Sequence, residues 1–86
     1  MNRQEILNIM NEIIEEEHGV PVEELNMLSD CAIDSFGYAV LFVGLDGQIE
    51  QKTGIKVFDN KVLKTINPNN VQVSELLDMI EVKLCI

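Results

Sequence analysis

The chain has 86 residues, enough for one domain around one core and too few for two. Hydrophobic residues are 47% of it and aromatic residues 5%, with no Trp, which excludes a disordered tail and requires an aliphatic core. The net charge of −9 is concentrated in residues 1–50, where eleven acids accompany Arg3 alone; such a surface repels phosphate backbones, arguing against nucleic acid, and suits basic protein partners.

The N-terminal residues contain no apolar signal region, and no stretch approaches the length of a membrane span, so a cytoplasmic protein is expected. Ile6, Ile9, Met10, Ile13 and Ile14 recur at 3/4 spacing and predict an amphipathic helix over about 3–17. Gly19 is placed to cap its C-terminus, and Pro21 discourages continuation. Residues 18–33 read as a long loop with one helical turn at Val22–Leu25. A connection of about 15 residues is uncommon in a compact domain and is often functional. Its apolar residues, among them Val20, Leu28 and Ile33, predict that it packs across the helices.

A second helix is predicted from Ser35 to about Lys52, capped by Asp34 or Ser35. From Phe36 to Leu45 its residues other than Gly37, Tyr38 and Gly44 are all apolar. Phe36, Val40, Val43 and Gly47 form one stripe, with Leu41, Phe42, Leu45 and Ile49 on adjoining ones. A helix apolar around most of its circumference is buried deeply or serves two contacts, and 86 residues leave little room for deep burial. Some of these side chains are therefore expected to meet a partner or an internal ligand. Gly54 ends this helix, and Ile55–Phe58 is an alternating run too short to found a sheet. Asp59–Leu63 suits a short third helix. Val73, Leu76, Leu77, Ile80 and Leu84 mark a last helix over Val71–Leu84, with Asn70 as its cap. The fold class expected is all-α: a small four-helix bundle in one domain spanning residues 1–86, with three longer helices, a short third one and a long loop between the first two.

Ser35 has no base in its neighbourhood of sequence. The one histidine, His18, is seventeen residues away, and Ile33-Asp34-Ser35-Phe36-Gly37 lacks the first glycine and the preceding strand of a nucleophile elbow. Self-contained catalysis is not expected. Asp30, Asp34, Asp46 and Glu50 are not spaced as a calcium loop, and His18, Cys31 and Cys85 form no zinc pattern. The two isolated cysteines suit a reduced, intracellular chain better than a disulfide-stapled one. What remains for Ser35 is helix capping, or modification by another enzyme at an exposed helix start.

The segment Ile33-Asp34-Ser35-Phe36, followed by Leu41, Leu45-Asp46, Ile49 and Gly54-Ile55-Lys56-Val57, resembles the signature of the acyl carrier and peptidyl carrier proteins, and the order of helices and loop resembles theirs along nearly the whole chain. The resemblance implies that Ser35 carries 4'-phosphopantetheine in a phosphodiester, installed from coenzyme A by a phosphopantetheinyl transferase. The arm's thiol then holds acyl or aminoacyl groups as thioesters for a loading ligase or transferase and for downstream enzymes. It also implies recognition by partners through Asp34 and Phe36, and a freestanding monomer that is not itself an enzyme. Phe36 in place of Leu, Gly37, and a second helix with few acids depart from the fatty-acid-synthesis carriers. They point toward a specialised polyketide, nonribosomal peptide or cell-envelope pathway, with the D-alanyl carriers as one option. The reading from another class is an unmodified helical interaction module in which Ser35 is only a cap.

Overall fold

A computed structural model describes residues 1–84 of the chain. The expectation for Cys85 lies outside the described residues. The first helix, α1 (Arg3–Glu16), begins at a reciprocal cap: the Asn2 side chain accepts from the Glu5 amide at 2.9 Å, and the Glu5 carboxylate accepts from the Asn2 amide at 3.4 Å. Ile6, Met10 and Ile14 are fully buried along one stripe, each worth about 1.5–3 kcal/mol relative to exposure.

The end of α1 differs from the expectation. The left-handed residue is His18, at φ 63°, and Gly19 follows it. The His18 amide donates to the Glu15 carbonyl at 3.0 Å and the Gly19 amide to the Ile14 carbonyl at 2.8 Å, closing the helix with the usual paired bonds. Gly19 is required for space instead: a β-carbon there would lie 2.6 Å from the Cys31 carbonyl oxygen.

The long loop is pinned rather than loose. Asn11 grips Val22 from both sides, donating to its carbonyl and accepting from its amide, each at 2.9 Å. Val22 stays outside any turn, and the helical turn expected at Val22–Leu25 is replaced by a single hydrogen-bonded turn one residue later, where the Asn26 amide donates to the Glu23 carbonyl at 3.1 Å. A 3₁₀ turn forms at Leu28–Cys31 instead, where Leu28 and Cys31 are fully buried anchors and the Asp30 carboxylate accepts from the Met27 amide at 2.9 Å. Arg3 ties the start of α1 to the loop and to the last helix, bonding Glu24 in the loop and then Asp78, Glu81 and the Ser74 carbonyl.

The second helix, α2 (Ser35–Thr53), buries Leu41, Leu45 and Ile49 and packs against α1. It stops at Gly54, whose φ of 76° is a conformation costly for other residues and whose amide donates to the Glu50 carbonyl at 2.7 Å. The third helix, α3 (Asn60–Thr65), is capped by Asp59, which accepts from the Val62 amide at 2.8 Å. The last helix, α4 (Val73–Leu84), packs on α1 and starts two residues later than predicted. Asn70 is not its cap: the Asn70 amide turns back to the Asn67 carbonyl. The first amides of α4 are taken by the loop, Val73 donating to the Asn26 carbonyl and Ser74 to the Glu24 carbonyl, both at 2.9 Å. The molecule is all-helical, a four-helix bundle with one continuous and mainly aliphatic core that also takes in Phe42 and Phe58, and no strand forms among the described residues. No described helix is long and apolar enough to cross a membrane.

Candidate functional site

Asp34, Ser35 and Phe36 sit together at the start of α2, and all three are exposed. Asp34 is the N-cap. Its backbone is extended, and its Oδ1 accepts from the Gly37 amide at 2.7 Å, satisfying one of the free donors of the first turn. Ser35 is thereby relieved of capping. It is the first residue inside the helix, with its hydroxyl on the surface, and the reading in which Ser35 serves only as the cap gives way to Asp34 in that role.

The approach to this corner is tightly built. Ala32 closes the 3₁₀ turn in the left-handed region at φ 58°, which costs an alanine roughly 1–2 kcal/mol and turns the chain sharply into Ile33. The Cys31 carbonyl accepts from the Val20 amide at 2.8 Å, joining the two ends of the loop beneath the site. The Ile33 side chain rests against the α-carbon of Gly37, where a β-carbon would lie 3.0 Å from Ile33 Cβ. Below, the fully buried Cys31 thiol donates to the Tyr38 hydroxyl at 3.8 Å. Burial, followed by this contact, pushes the Tyr38 phenol up to about 12.

Beyond Ser35 the outer face of α2 is uncharged and apolar. Phe36 is 73% exposed, Val43 is 69% exposed, Ala39 is exposed between them and Val40 is half-buried. These are among the side chains expected to meet a partner or an internal ligand, and the structure shows their exposure alone. A groove of about 300 Å³ runs alongside, between α2 and α3, lined by Phe42, Val43, Asp46, Lys56, Phe58 and Leu63. Phe42 and Phe58 meet edge to face there, centroids 5.4 Å apart, so Phe42 both packs the core and walls the groove.

One residue with a structural task at this groove was not singled out for it from sequence. Asp46 is only 6% exposed, and its carboxylate accepts from the Val57 amide at 2.9 Å, the Phe58 amide at 3.1 Å and Lys56 Nζ at 2.6 Å. Burial alone would raise its pKa, but the Lys56 ammonium and the two amides outweigh it and hold the carboxyl below its ordinary range. The signal available was a carboxylate interrupting the apolar run of α2 one residue after Leu45. Among the described residues no group of three or more His, Cys, Asp or Glu side chains is arranged to hold a metal ion. Neither a scan of protein-family models nor searches of curated proteins and of solved structures finds a match to this chain.

Proposed function

We propose that this chain is a carrier protein that holds acyl or aminoacyl intermediates as thioesters on a 4'-phosphopantetheine arm attached to Ser35. The observation that carries the reading is the division of labour at the start of α2. Asp34 caps the helix, which leaves the Ser35 hydroxyl exposed with no structural task of its own. The residues also fit the group. A phosphodiester on Ser35 would lie at the positive end of a 19-residue helix, where free amides and the dipole favour an anion. The Asp34 carboxylate beside it is already engaged by the Gly37 amide. In the loading step the Ser35 oxygen would form a bond to the pantetheine-bearing phosphorus of coenzyme A while the pyrophosphate bond breaks, adenosine 3',5'-bisphosphate leaves, and the hydroxyl proton passes to the transferase. The arm supplies a thiol that presents its cargo at high effective concentration to whichever enzyme docks. Phe36, beside Ser35, is the first apolar contact such an enzyme meets, and Asp34 contributes to recognition while it caps. The chain acts as substrate and shuttle, in the cytoplasm and as a monomer, in a specialised pathway rather than in housekeeping fatty acid synthesis.

The exposed Phe36 and Val43 also favour a second reading, an unmodified module that binds protein partners through the outer face of α2. Intact mass after incubation with coenzyme A and a broad-specificity phosphopantetheinyl transferase separates the two. A gain of one phosphopantetheine, absent in Ser35→Ala, is expected. No gain with several transferases, or a gain that survives Ser35→Ala, would overturn the assignment.

A further inference from the structure

The corner that presents Ser35 contains a contact whose tightness the helix cap does not require. Ile33 is wedged between two glycines from different parts of the chain. A β-carbon on Gly19 would fall 2.5 Å from Ile33 Cγ2, and one on Gly37 would fall 3.0 Å from Ile33 Cβ and 3.3 Å from Asp34 Oδ1. Neither glycine has a positive φ, so backbone freedom does not account for them. Glycine is unfavourable inside a helix, yet it occupies the first turn of α2. Both glycines provide room for Ile33, which is the nearest neighbour at each, and Gly19 also makes room for the Cys31 carbonyl oxygen at 2.6 Å and Ile14 Cγ2 at 2.8 Å.

We propose that Ile33, locked between Gly19 and Gly37, is a positioning residue that fixes the orientation of Asp34 and Ser35 for modification; the proposal rests on the carrier reading above. Ile33 directly precedes the capping aspartate, and the cap bond returns from Asp34 to the Gly37 amide. Ser35 and Phe36 are enclosed in the short ring between those two points. Moving Ile33 therefore moves one end of the ring and, with it, the serine. The contact at Gly37 involves Ile33 Cβ, which no rotamer change can withdraw, so relief of an added methyl calls for a backbone adjustment on the order of a few tenths of an ångström. The contact at Gly19 involves Ile33 Cγ2, an atom that valine retains and alanine lacks.

The test compares Ile33→Val, Ile33→Ala and Gly37→Ala with the wild-type chain, and with Ile80→Ala as a core variant outside this corner. Two quantities are read: the kinetics of phosphopantetheine transfer to Ser35, and hydrogen exchange of the residue 37 amide. A misplacement of about 1 Å can cost up to about a hundredfold in rate, so a shift of a fraction of that predicts roughly a tenfold fall in kcat for Gly37→Ala and Ile33→Ala. KM should hold within about twofold, because Phe36 and the exposed face of α2 remain for docking. Ile33→Val should stay near wild type, and the residue 37 amide should exchange faster in the two damaging variants but not in Ile80→Ala. Gly37→Ala and Ile33→Ala that are folded and loaded at the wild-type rate would overturn the lock and leave the carrier reading standing. A fall equally large in Ile80→Ala would also overturn it, since loss of stability would then suffice. If no transferase loads the wild-type chain, the carrier reading fails instead, and the proposal with it as a device for modification; unchanged exchange at residue 37 would then show that the lock is absent as well.

Discussion

Asp46 offers the sharpest test of how this bundle is held together. Its carboxylate is the acceptor for two backbone amides, Val57 and Phe58, in bonds away from solvent, and among the described residues no other side chain accepts from either amide. In Asp46→Ala both amides lose their acceptor. A buried donor left unsatisfied costs about 1–3 kcal/mol, so two of them predict a loss of about 2–6 kcal/mol. Against a total of about 4–13 kcal/mol for a chain of this length, that is a large fraction. At about 4–8 °C per kcal/mol, even the lower end of that range should bring the melting temperature down by about 8–16 °C. Lys56 should matter far less, because its ammonium is mostly in water, so Lys56→Met is expected to be the mildest change and Asp46→Asn to fall between. Urea unfolding monitored by circular dichroism measures all three. Because the folded carboxyl is held below its ordinary value near pH 4, its contribution is fully present above that pH and is lost as pH falls through the lower folded value. The acid limb of the stability curve should therefore be flatter in Asp46→Asn. Asp46→Ala within about 1 kcal/mol of wild type, or Lys56→Met as damaging as Asp46→Ala, would refute the reasoning, since the amides would then not be what the carboxylate holds.

Two further outcomes follow from the site. Ser35→Ala should leave stability within about 0.5 kcal/mol of wild type, whereas Asp34→Ala should lose about 0.5–2 kcal/mol with its cap; thermal melts in the reverse order would return the capping role to Ser35. Tyr38 is the chain's one tyrosine and there is no Trp, so its ionisation can be followed cleanly by ultraviolet difference absorbance. It should titrate at about 12 in the folded protein. As a group with a raised folded value, it should make stability decline as pH rises from about 10 toward that point, and a folded titration near 10 would contradict its burial beside Cys31.

The helices were legible because their signals are local. The 3/4 spacing of Ile6, Ile9, Met10, Ile13 and Ile14 needs nothing beyond one turn of chain, and α1 and α2 lie within a residue of their predicted bounds. Asp34 and Ser35 were equal candidates for the cap, because either oxygen can reach a first-turn amide; the choice depends on where the backbone turns from extended to helical, which Ala32 and Ile33 decide. The errors fell where distant residues intervene. Asn11 holds Val22 and the turn expected at Val22–Leu25 forms one residue later, at Glu23–Asn26, and the carbonyls of Glu24 and Asn26 replace the cap expected from Asn70. Arg3 bonds residues as much as 78 positions away, and nothing in its neighbourhood of sequence announces that. Gly19 was read as a conformational residue when it is a steric one, because a sequence records an absent side chain without recording which neighbour fills its place.

The charge map separates two tasks that a docking protein must perform. Acids crowd α1 and the loop, with Glu5, Glu12, Glu15, Glu16, Glu23 and Asp30 all exposed, while the outer face of α2 from Ser35 through Gly47 exposes no charge. A field of that kind acts at a distance and is screened over about 8 Å at physiological ionic strength, so under the carrier reading it would govern how often a basic partner arrives. Once the surfaces meet, water must leave Phe36, Ala39 and Val43, and the gain from burying them is insensitive to screening at this range. Single exposed apolar residues are ordinary, but these follow one another at helical spacing from the residue next to Ser35. Under the carrier reading, encounter is set by the acids of the first half of the chain, and residence beside the serine by an apolar ridge that begins at Phe36.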